Sequence, residues 1–188
     1  MIHKKTRTYI PQNLEIKWEN LEPIYKELTE RPINSVEELE HWLHDRSELE
    51  AALEEDFAWR YIRMTCDTLS EELLQKFQCF ATEIEPKIAP YSNELNKKLV
   101  GSEYADQLHE EKFFIYLRGV KKALELFREE NIPIQTEIQV EQQKYQSITG
   151  SMSVHIDDKE FTLEQAAVRM KTPTAAKGRR HGRRSTGR

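Results

Sequence analysis

The sequence changes character at Thr172-Pro173, and this change limits a compact fold to the residues before it. Residues 171–188 carry seven basic side chains, no acidic side chain, and no apolar side chain larger than alanine except Pro173. Residues 1–170 hold the other 21 basic residues and all 33 acidic residues, which gives a net charge near −12. The sequence therefore predicts a folded acidic body over 1–171 and a disordered basic tail over 172–188.

The body is dominated by amphipathic helical patterns. Ser35-Val36-Glu37-Glu38 is a capping box, in which the serine hydroxyl accepts a bond from an orphan amide N–H and Glu38 reaches back. The helix that it opens is predicted to run to about Thr65, with one apolar stripe that is interrupted near Arg46. The pattern is clearest over residues 111–130, where Phe113, Leu117, Val120, Leu124 and Phe127 keep helical spacing. Further helices are predicted over about 20–30, 71–88, 93–100, 102–109, 133–148 and 162–171.

Three residues are predicted to bend or end helices. Pro86 and Pro90 lack the amide N–H that a helix interior needs, so we expect a kink or a helix end there. Gly101 is predicted to be a left-handed cap after the segment 93–100.

The hydrophobic period becomes two only near residues 151–162. Met152, Val154 and Ile156 alternate with polar residues such as His155, which is predicted to face solvent. A turn at 157–159 and a return strand at 160–162 complete a small β-hairpin, and a second capping box spans 162–165. The predicted fold class is mostly α, an antiparallel bundle or lobe of long helices with this one hairpin.

The sequence shows no metal-binding or catalytic motif. A common zinc peptidase uses His-Glu-x-x-His, because one helical turn places both imidazoles on the same face. The nearest approach is His109-Glu110-Glu111-Lys112-Phe113, which lacks the second histidine. His41 and His44 could share a metal, but a solvated helix face is the favoured interpretation. We therefore predict no catalytic, cofactor-binding or metal-binding residue in this chain.

The two cysteines indicate a reducing compartment. Cys66 and Cys79 fit neither a CxxC pair nor a zinc spacing, and we expect both to be buried or half-buried structural thiols. The N-terminus has no apolar run that would form a signal peptide, and no stretch has the length of a membrane span. The predicted location is the cytoplasm, without membrane association.

Two charged regions could bind partners. An acidic cluster could recognise a cation or a basic peptide, although a solvated helix surface is favoured; it comprises Glu37, Glu38, Glu40, Glu48, Glu50, Glu54, Glu55 and Asp56. The basic tail could neutralise phosphates. It has no aromatic residues for base stacking and the body is acidic, so nucleic-acid binding is not expected.

Several segments resemble the oligoendopeptidase F branch of the thimet-oligopeptidase-like zinc metallopeptidases. They are Ile84-Glu85-Pro86-Lys87-Ile88-Ala89-Pro90 and the residues 45–50, 59–67, 129–133, 142–154 and 159–167. The resemblance extends over about 10–173. It implies the N-terminal lobe of a much longer, mostly helical enzyme, whose zinc-binding helix lies far downstream. It carries no catalytic residue onto this chain, and it implies zinc and peptide substrates only for the full-length parent.

The resemblance also offers an origin for the tail. In such relatives the corresponding region continues as a helix of the type Asp-Arg-x-x-Arg-Glu-x-Ala-Trp. With one permitted choice of codons, residues 174–187 read one base out of frame as Asp-Arg-Ser-Lys-Arg-Glu-Lys-Ala-Trp-Lys-Lys-Ile-Asn-Arg. We therefore expect a frameshift just after Pro173 that truncated a longer peptidase, which sequencing of the source DNA would test.

Three functions remain open at this point. The first is a truncated peptidase lobe that is inactive alone and exposes apolar surface where a catalytic lobe would pack, with self-association as a consequence. The second is a non-enzymatic helical module for protein interaction. The third is a fragment that complements a separately encoded catalytic half.

Overall fold

The computed structural model describes residues 7–171, apart from the side chains of Glu110 and Lys171. The basic tail predicted over 172–188, with its proposed frameshift, lies outside the described residues. Contacts divide the chain into two compact units, one ending at Glu141 and the other starting at Gln142.

The first unit is helical. Its elements are α1 (Trp18–Glu30), α2 (Val36–Cys66), α3 (Glu71–Cys79), a π-helical turn (Phe80–Ile84), α4 (Glu85–Gly101), a 3₁₀ turn (Ala105–Gln107), α5 (Glu110–Leu126) and the start of α6 (Asn131–Ser151). The prediction of a mostly α fold with long helices is confirmed.

The long helix α2 begins where the capping box predicts. The Glu38 amide donates to Ser35 Oγ at 3.1 Å, and Glu38 Oε2 accepts from the Asn34 amide at 2.7 Å. The glutamate thus reaches one residue further back than in the standard box. One amide of the first turn of α2 and one of the preceding turn are thus satisfied, which helps to fix the entry of the chain into α2.

The core of the first unit forms where α1, α2, α4 and α5 meet. Its buried side chains include Leu21, Tyr25, Leu28, Leu39, Trp42, Leu49, Leu95, Leu99 and Val120. Lys98 Nζ donates to the carbonyl oxygens of Leu28, Thr29 and Arg31 at 2.8, 2.8 and 2.5 Å. These carbonyls lie at the end of α1, where a helix leaves its acceptors unpaired. A cation from α4 therefore closes the C-terminus of α1.

The two prolines do not end a helix, and 93–100 is not a separate segment, because α4 runs through both prolines to Gly101. The predicted helix end at the prolines is therefore wrong, and the predicted kink stays a prediction. A π-helical turn comes directly before them, in which the Glu85 amide donates to the Phe80 carbonyl, five residues back. Pro86 therefore enters after the hydrogen-bond ladder has already shifted register. A residue with an amide N–H at position 90 would donate to the Pro86 carbonyl four residues back. Pro90 has no such N–H, so the helix loses one hydrogen bond there and continues.

The predictions around Gly101 are also wrong. Among the described residues no glycine has a positive φ, and Gly101 is the last helical residue of α4 rather than a left-handed cap. Ser102 follows with φ −71° and ψ 132°, an extended conformation. The helix expected over 102–109 is reduced to the 3₁₀ turn.

Helix α5 keeps the predicted inward stripe but is shorter than predicted. Val120 is buried, and Phe113 and Leu117 pack partly buried against the core. The helix ends at Leu126, because Phe127 adopts an extended conformation at φ −63° and ψ 130°. A turn follows, and α6 begins at Asn131.

The second unit contains the remainder of α6, the strands β1 (Ser153–Ile156) and β2 (Lys159–Thr162), and α7 (Leu163–Lys171). The strands pair antiparallel, with Ile156 opposite Lys159. Asp157 and Asp158 have φ of 52° and 59°, the conformation that a two-residue hairpin turn requires. The predicted hairpin is therefore confirmed.

The second capping box and the exposed histidine are confirmed as well. The Gln165 amide donates to Thr162 Oγ1 at 3.3 Å, and the Thr162 amide donates to Gln165 Oε1 at 3.0 Å. His155 faces solvent on β1.

The segment before α1 is attached to α2 through Glu48. Glu48 Oε1 accepts from the amides of Tyr9 and Ile10 at 3.0 and 3.2 Å, and Oε2 accepts from the Thr8 hydroxyl at 3.2 Å. Burial raises the pKa of this carboxyl, but hydrogen bonds from the backbone of residues 8–10 outweigh it and hold the pKa below its ordinary value.

Replacing Glu48 with glutamine should reduce the loss of stability in acid. Because the folded-state pKa is lowered, the wild-type carboxylate stabilises the fold above its unfolded pKa of about 4.3, and this contribution is lost as pH falls through the folded pKa. Urea unfolding between pH 7 and 3 should therefore show a steeper acid decline for the wild type than for Glu48→Gln. Glu54→Gln, an exposed change on the same helix, should follow the wild type, and identical profiles for all three proteins would contradict the assignment.

Candidate functional site

The histidines considered as metal ligands lie on the solvent side of α2. His41 Nδ1 lies 3.3 Å from Asp45 Oδ2, and His44 Nδ1 lies 3.8 Å from Asp45 Oδ1. The buried Asp45 carboxylate also accepts a hydrogen bond from Arg31 Nη1 at 2.6 Å. Within residues 7–171 no group of three histidine, cysteine, aspartate or glutamate side chains is arranged to hold a metal ion.

His109 is placed at the start of α5 rather than within a helix. It is the N-cap residue, it is exposed, and its side chain makes no capping hydrogen bond. The Glu110 side chain is not among those described. Among the described residues, His109 therefore belongs to no group of three such side chains that could hold a metal ion.

The cysteine prediction is wrong. Cys66 and Cys79 are both exposed and free. Cys66 is the last residue of α2, and Cys79 is the last residue of α3, next to Phe80, which is buried. The inward positions near the end of α3 are taken by Phe77 and Phe80, so the Cys79 thiol is left on the surface.

The acidic cluster is a solvated face only in part. Glu37, Glu38, Glu54 and Glu55 are exposed, whereas Glu40, Glu48, Glu50 and Asp56 are half-buried. Glu48 holds the N-terminal segment, and Glu50 Oε1 accepts from Arg46 Nε at 2.7 Å. The half-buried carboxylates at 48 and 50 thus serve the fold.

The interruption of the α2 stripe near Arg46 is a buried charged site. Arg46 is 5% exposed, its Nη2 donates to Asn96 Oδ1 at 2.8 Å, and its guanidinium lies 5.9 Å from the centre of the Trp42 ring. Arg46 Nη1 is buried without a hydrogen-bond partner among the described residues. Two adjacent charged residues, Asp45 and Arg46, inside an apolar stripe were the sequence signal that charged side chains are buried here. Asp45 pairs with Arg31, and Arg46 pairs with Glu50.

Sequence reasoning missed a groove beside α5. It has a volume of about 910 Å³, and the buried Ala105 and Leu108 belong to its lining. Phe114 and Ile115 line it while 52% and 65% exposed. Gly119 also lines it, and a Cβ built on this glycine would meet no atom within 4 Å. The remaining lining residues are Asp106, Leu117, Arg118, Lys121, Lys122 and Glu125.

This groove is open, apolar and of a size that accommodates another molecule. The exposed Leu126 continues the same side of α5, because eleven residues after Ile115 complete about three helical turns. Unpartnered apolar surface of this kind is typical of interaction sites.

Among residues 7–171 no helix combines the length and the apolar composition that crossing a lipid bilayer requires.

Comparison with known proteins identifies the domain. The family model of the Peptidase M3 N-terminal domain matches residues 13–127, from just before α1 to just after α5. The searches of curated proteins and of solved structures returned no match. The matched segment contains the whole α5 groove and the Arg46 site. Because the match covers more than half of the chain, this protein belongs to the Peptidase M3 N-terminal domain family.

Proposed function

We propose that this chain is the non-catalytic N-terminal lobe of a zinc oligopeptidase of the oligoendopeptidase F type. Peptide hydrolysis then requires a catalytic part that carries the His-Glu-x-x-His helix and its zinc. The observation that carries this proposal is the family match over 13–127. The truncation after Pro173, the cytoplasmic location and the absence of activity in the chain alone are parts of the same proposal.

The chemistry of the described residues agrees with a supporting role. Zinc hydrolysis needs two imidazoles one helical turn apart and a carboxylate that activates the bound water. The sequence around His109 supplies one imidazole only, and His41 and His44 face solvent beside a carboxylate that Arg31 occupies. These residues do not fit a catalytic zinc, so no step of hydrolysis is assigned to them.

The surface of the first unit supports a partner. Phe114, Ile115 and Leu126 are 52%, 65% and 65% exposed on α5. Burying them against a catalytic lobe would remove apolar area from water, which is the dominant favourable term in association.

A complementation assay tests the proposal. The purified chain, a separately expressed catalytic part of an oligoendopeptidase F-type enzyme, and their mixture would each be given zinc and a fluorogenic peptide. We expect no turnover by the chain alone, and turnover by the mixture that is at least tenfold above that of the catalytic part alone.

The control is a catalytic part whose His-Glu-x-x-His glutamate is replaced by glutamine, which should abolish turnover by the mixture. Zinc-dependent hydrolysis by the chain alone would overturn the proposal. Tight association without hydrolysis would favour the interaction module instead.

A further inference from the structure

Gly119 lies in the interior of α5, where the packing of the first unit does not require a glycine. Glycine weakens a helix interior relative to alanine. Here a Cβ would meet nothing within 4 Å, so no side chain or backbone of the described residues needs the space. The open space lies inside the α5 groove, where it leaves room for another molecule.

The pattern around Gly119 fits a helix as the occupant. Ile115, Gly119, Lys122 and Leu126 are spaced by four, three and four residues, so they share one face of α5. A small residue at the centre of this face lets a second helix approach closely, while Ile115 and Leu126 supply apolar contacts at its two ends. The lined stretch from Phe114 to Glu125 measures about 17 Å, which three turns of a helix would cover.

The charge of the groove selects the type of helix. Lys122 pairs with Glu125 at 2.9 Å, and the Arg118 guanidinium lies 5.8 Å from the centre of the Phe114 ring. Within the part of the chain that the structure describes, neither Arg118 nor Lys121 forms an ion pair. Asp106 and Glu125 also line the groove, so its three basic and two acidic side chains leave one net positive charge. With Lys122 paired to Glu125, the cations at 118 and 121 are the ones that acidic side chains of an occupant would complement.

The same charges argue against a second copy of this chain. Two copies related by a two-fold axis through α5 would bring Arg118, Lys121 and Lys122 of one close to the same residues of the other. Like charges held close together repel. An acidic helix from another protein segment avoids this repulsion and gains ion pairs.

We propose that the α5 groove docks an amphipathic helix whose apolar face is flanked by aspartate or glutamate. The inference rests on the proposed function and deepens it, because it names the chemistry of the surface that the partner presents.

The test uses the full chain and two synthetic 18-residue helical peptides. Both carry leucine and alanine on one face; the flanking positions are glutamate in one peptide and lysine in the other. We expect the glutamate peptide to bind at least tenfold more tightly by fluorescence anisotropy, to weaken as salt increases, and to shift the amide resonances of α5 and the 3₁₀ turn.

Variants of the groove sharpen the test. Gly119→Leu should fill the space and weaken the glutamate peptide at least tenfold. Gly101→Leu is the matched control, since a Cβ there also meets nothing within 4 Å, and it should bind like the wild type. The double change Arg118→Glu and Lys121→Glu should reverse the preference between the peptides, with far-UV circular dichroism confirming that each variant is folded.

Equal binding of the two peptides would overturn the inference, and so would binding that Gly119→Leu leaves unchanged. A dimer in sedimentation velocity that Gly119→Leu converts to a monomer would also overturn it, because a second copy of the chain would then be the occupant. If complementation of the catalytic part persists undiminished in Gly119→Leu, the groove inference fails while the proposed function stands. If the glutamate peptide binds as expected but complementation fails, the reverse holds.

Discussion

Trp42→Ala is expected to lower the free energy of unfolding by about 4 kcal/mol, a large share of the 5–15 kcal/mol typical of a domain. Trp42 is fully buried, and its indole Nε1 donates to the Leu28 carbonyl at 2.8 Å. Lys98 Nζ and the Arg46 guanidinium lie 5.6 and 5.9 Å from the centre of its ring. The truncation therefore leaves a cavity and removes contacts that join α1, α2 and α4.

A graded series separates the volume of Trp42 from its hydrogen bond. Trp42→Phe keeps most of the apolar volume and should cost about 1.5 kcal/mol, because the Leu28 carbonyl retains the bond from Lys98. Trp59→Ala is the matched control on the same helix, since Trp59 is 50% exposed, and it should change stability by less than about 0.5 kcal/mol. Urea unfolding followed by circular dichroism at 222 nm measures all three. Equal losses for Trp42→Ala and Trp59→Ala would contradict the central position of Trp42.

Local chemistry made part of this fold predictable from the sequence. Ser35 and Thr162 each cap a helix, because the hydroxyl accepts from the amide N–H three residues later. The side chain of that later residue reaches back to a free amide, so both bonds form within one turn. The hairpin follows equally from alternation and from two aspartates that tolerate positive φ. Each of these features depends on neighbours in sequence only.

The failures occur where a tertiary contact or a shift in backbone register decides the outcome. Pro86 is tolerated because the π-helical turn before it removes the conflict, and Leu95 and Leu99, buried on α4, anchor the helix beyond it. The sequence of residues 80–84 has no local pattern that predicts the π-helical turn. The early end of α5 at Leu126 likewise runs against an apolar pattern that would continue to Phe127.

The candidate site illustrates the same division. The sequence shows that a zinc motif is missing, because that motif is defined by spacing alone. It does not show the α5 groove, since the groove depends on where the 3₁₀ turn places Ala105 and Leu108 beside the helix. The exposed apolar positions of α5 could have been predicted from the helical period. Phe114, Ile115 and Leu126 lie off the inward stripe that Phe113 and Val120 define.

The second large effect concerns the ion pair of Arg46 and Glu50 on α2, of which only the arginine is buried. Glu50→Ala is expected to destabilise the chain by about 3 kcal/mol, because it removes the carboxylate partner of a buried guanidinium. Arg46 is 6% exposed in its side chain, whereas Glu50 is 39% exposed. After the change, the bond to Asn96 is the side-chain hydrogen bond that Arg46 would retain among the described residues.

Arg46→Met should be far less damaging than Glu50→Ala, although it breaks the same pair. Methionine fills the space beside Trp42 without the cost of desolvating a cation, one of whose N–H groups already lacks a partner among the described residues. Glu50, which is partly exposed, can turn to water. We expect a change within about 1 kcal/mol of the wild type, in either direction.

A double-mutant cycle shows whether the Arg46–Glu50 pair stabilises the fold on balance or whether Glu50 only compensates the charge of the buried Arg46. Arg46→Met should recover most of the stability lost in Glu50→Ala when the two changes are combined, which gives a large coupling energy. Glu54→Ala, an exposed change one turn further along α2, should leave the midpoint of urea unfolding nearly unchanged. If Arg46→Met alone costs as much as Glu50→Ala, the Arg46–Glu50 pair within α2 and the Arg46–Asn96 bond to α4 are net stabilising. If it does not, Glu50 is retained in the fold mainly to neutralise a buried cation, and the stability of the first unit comes from the apolar contacts around Trp42.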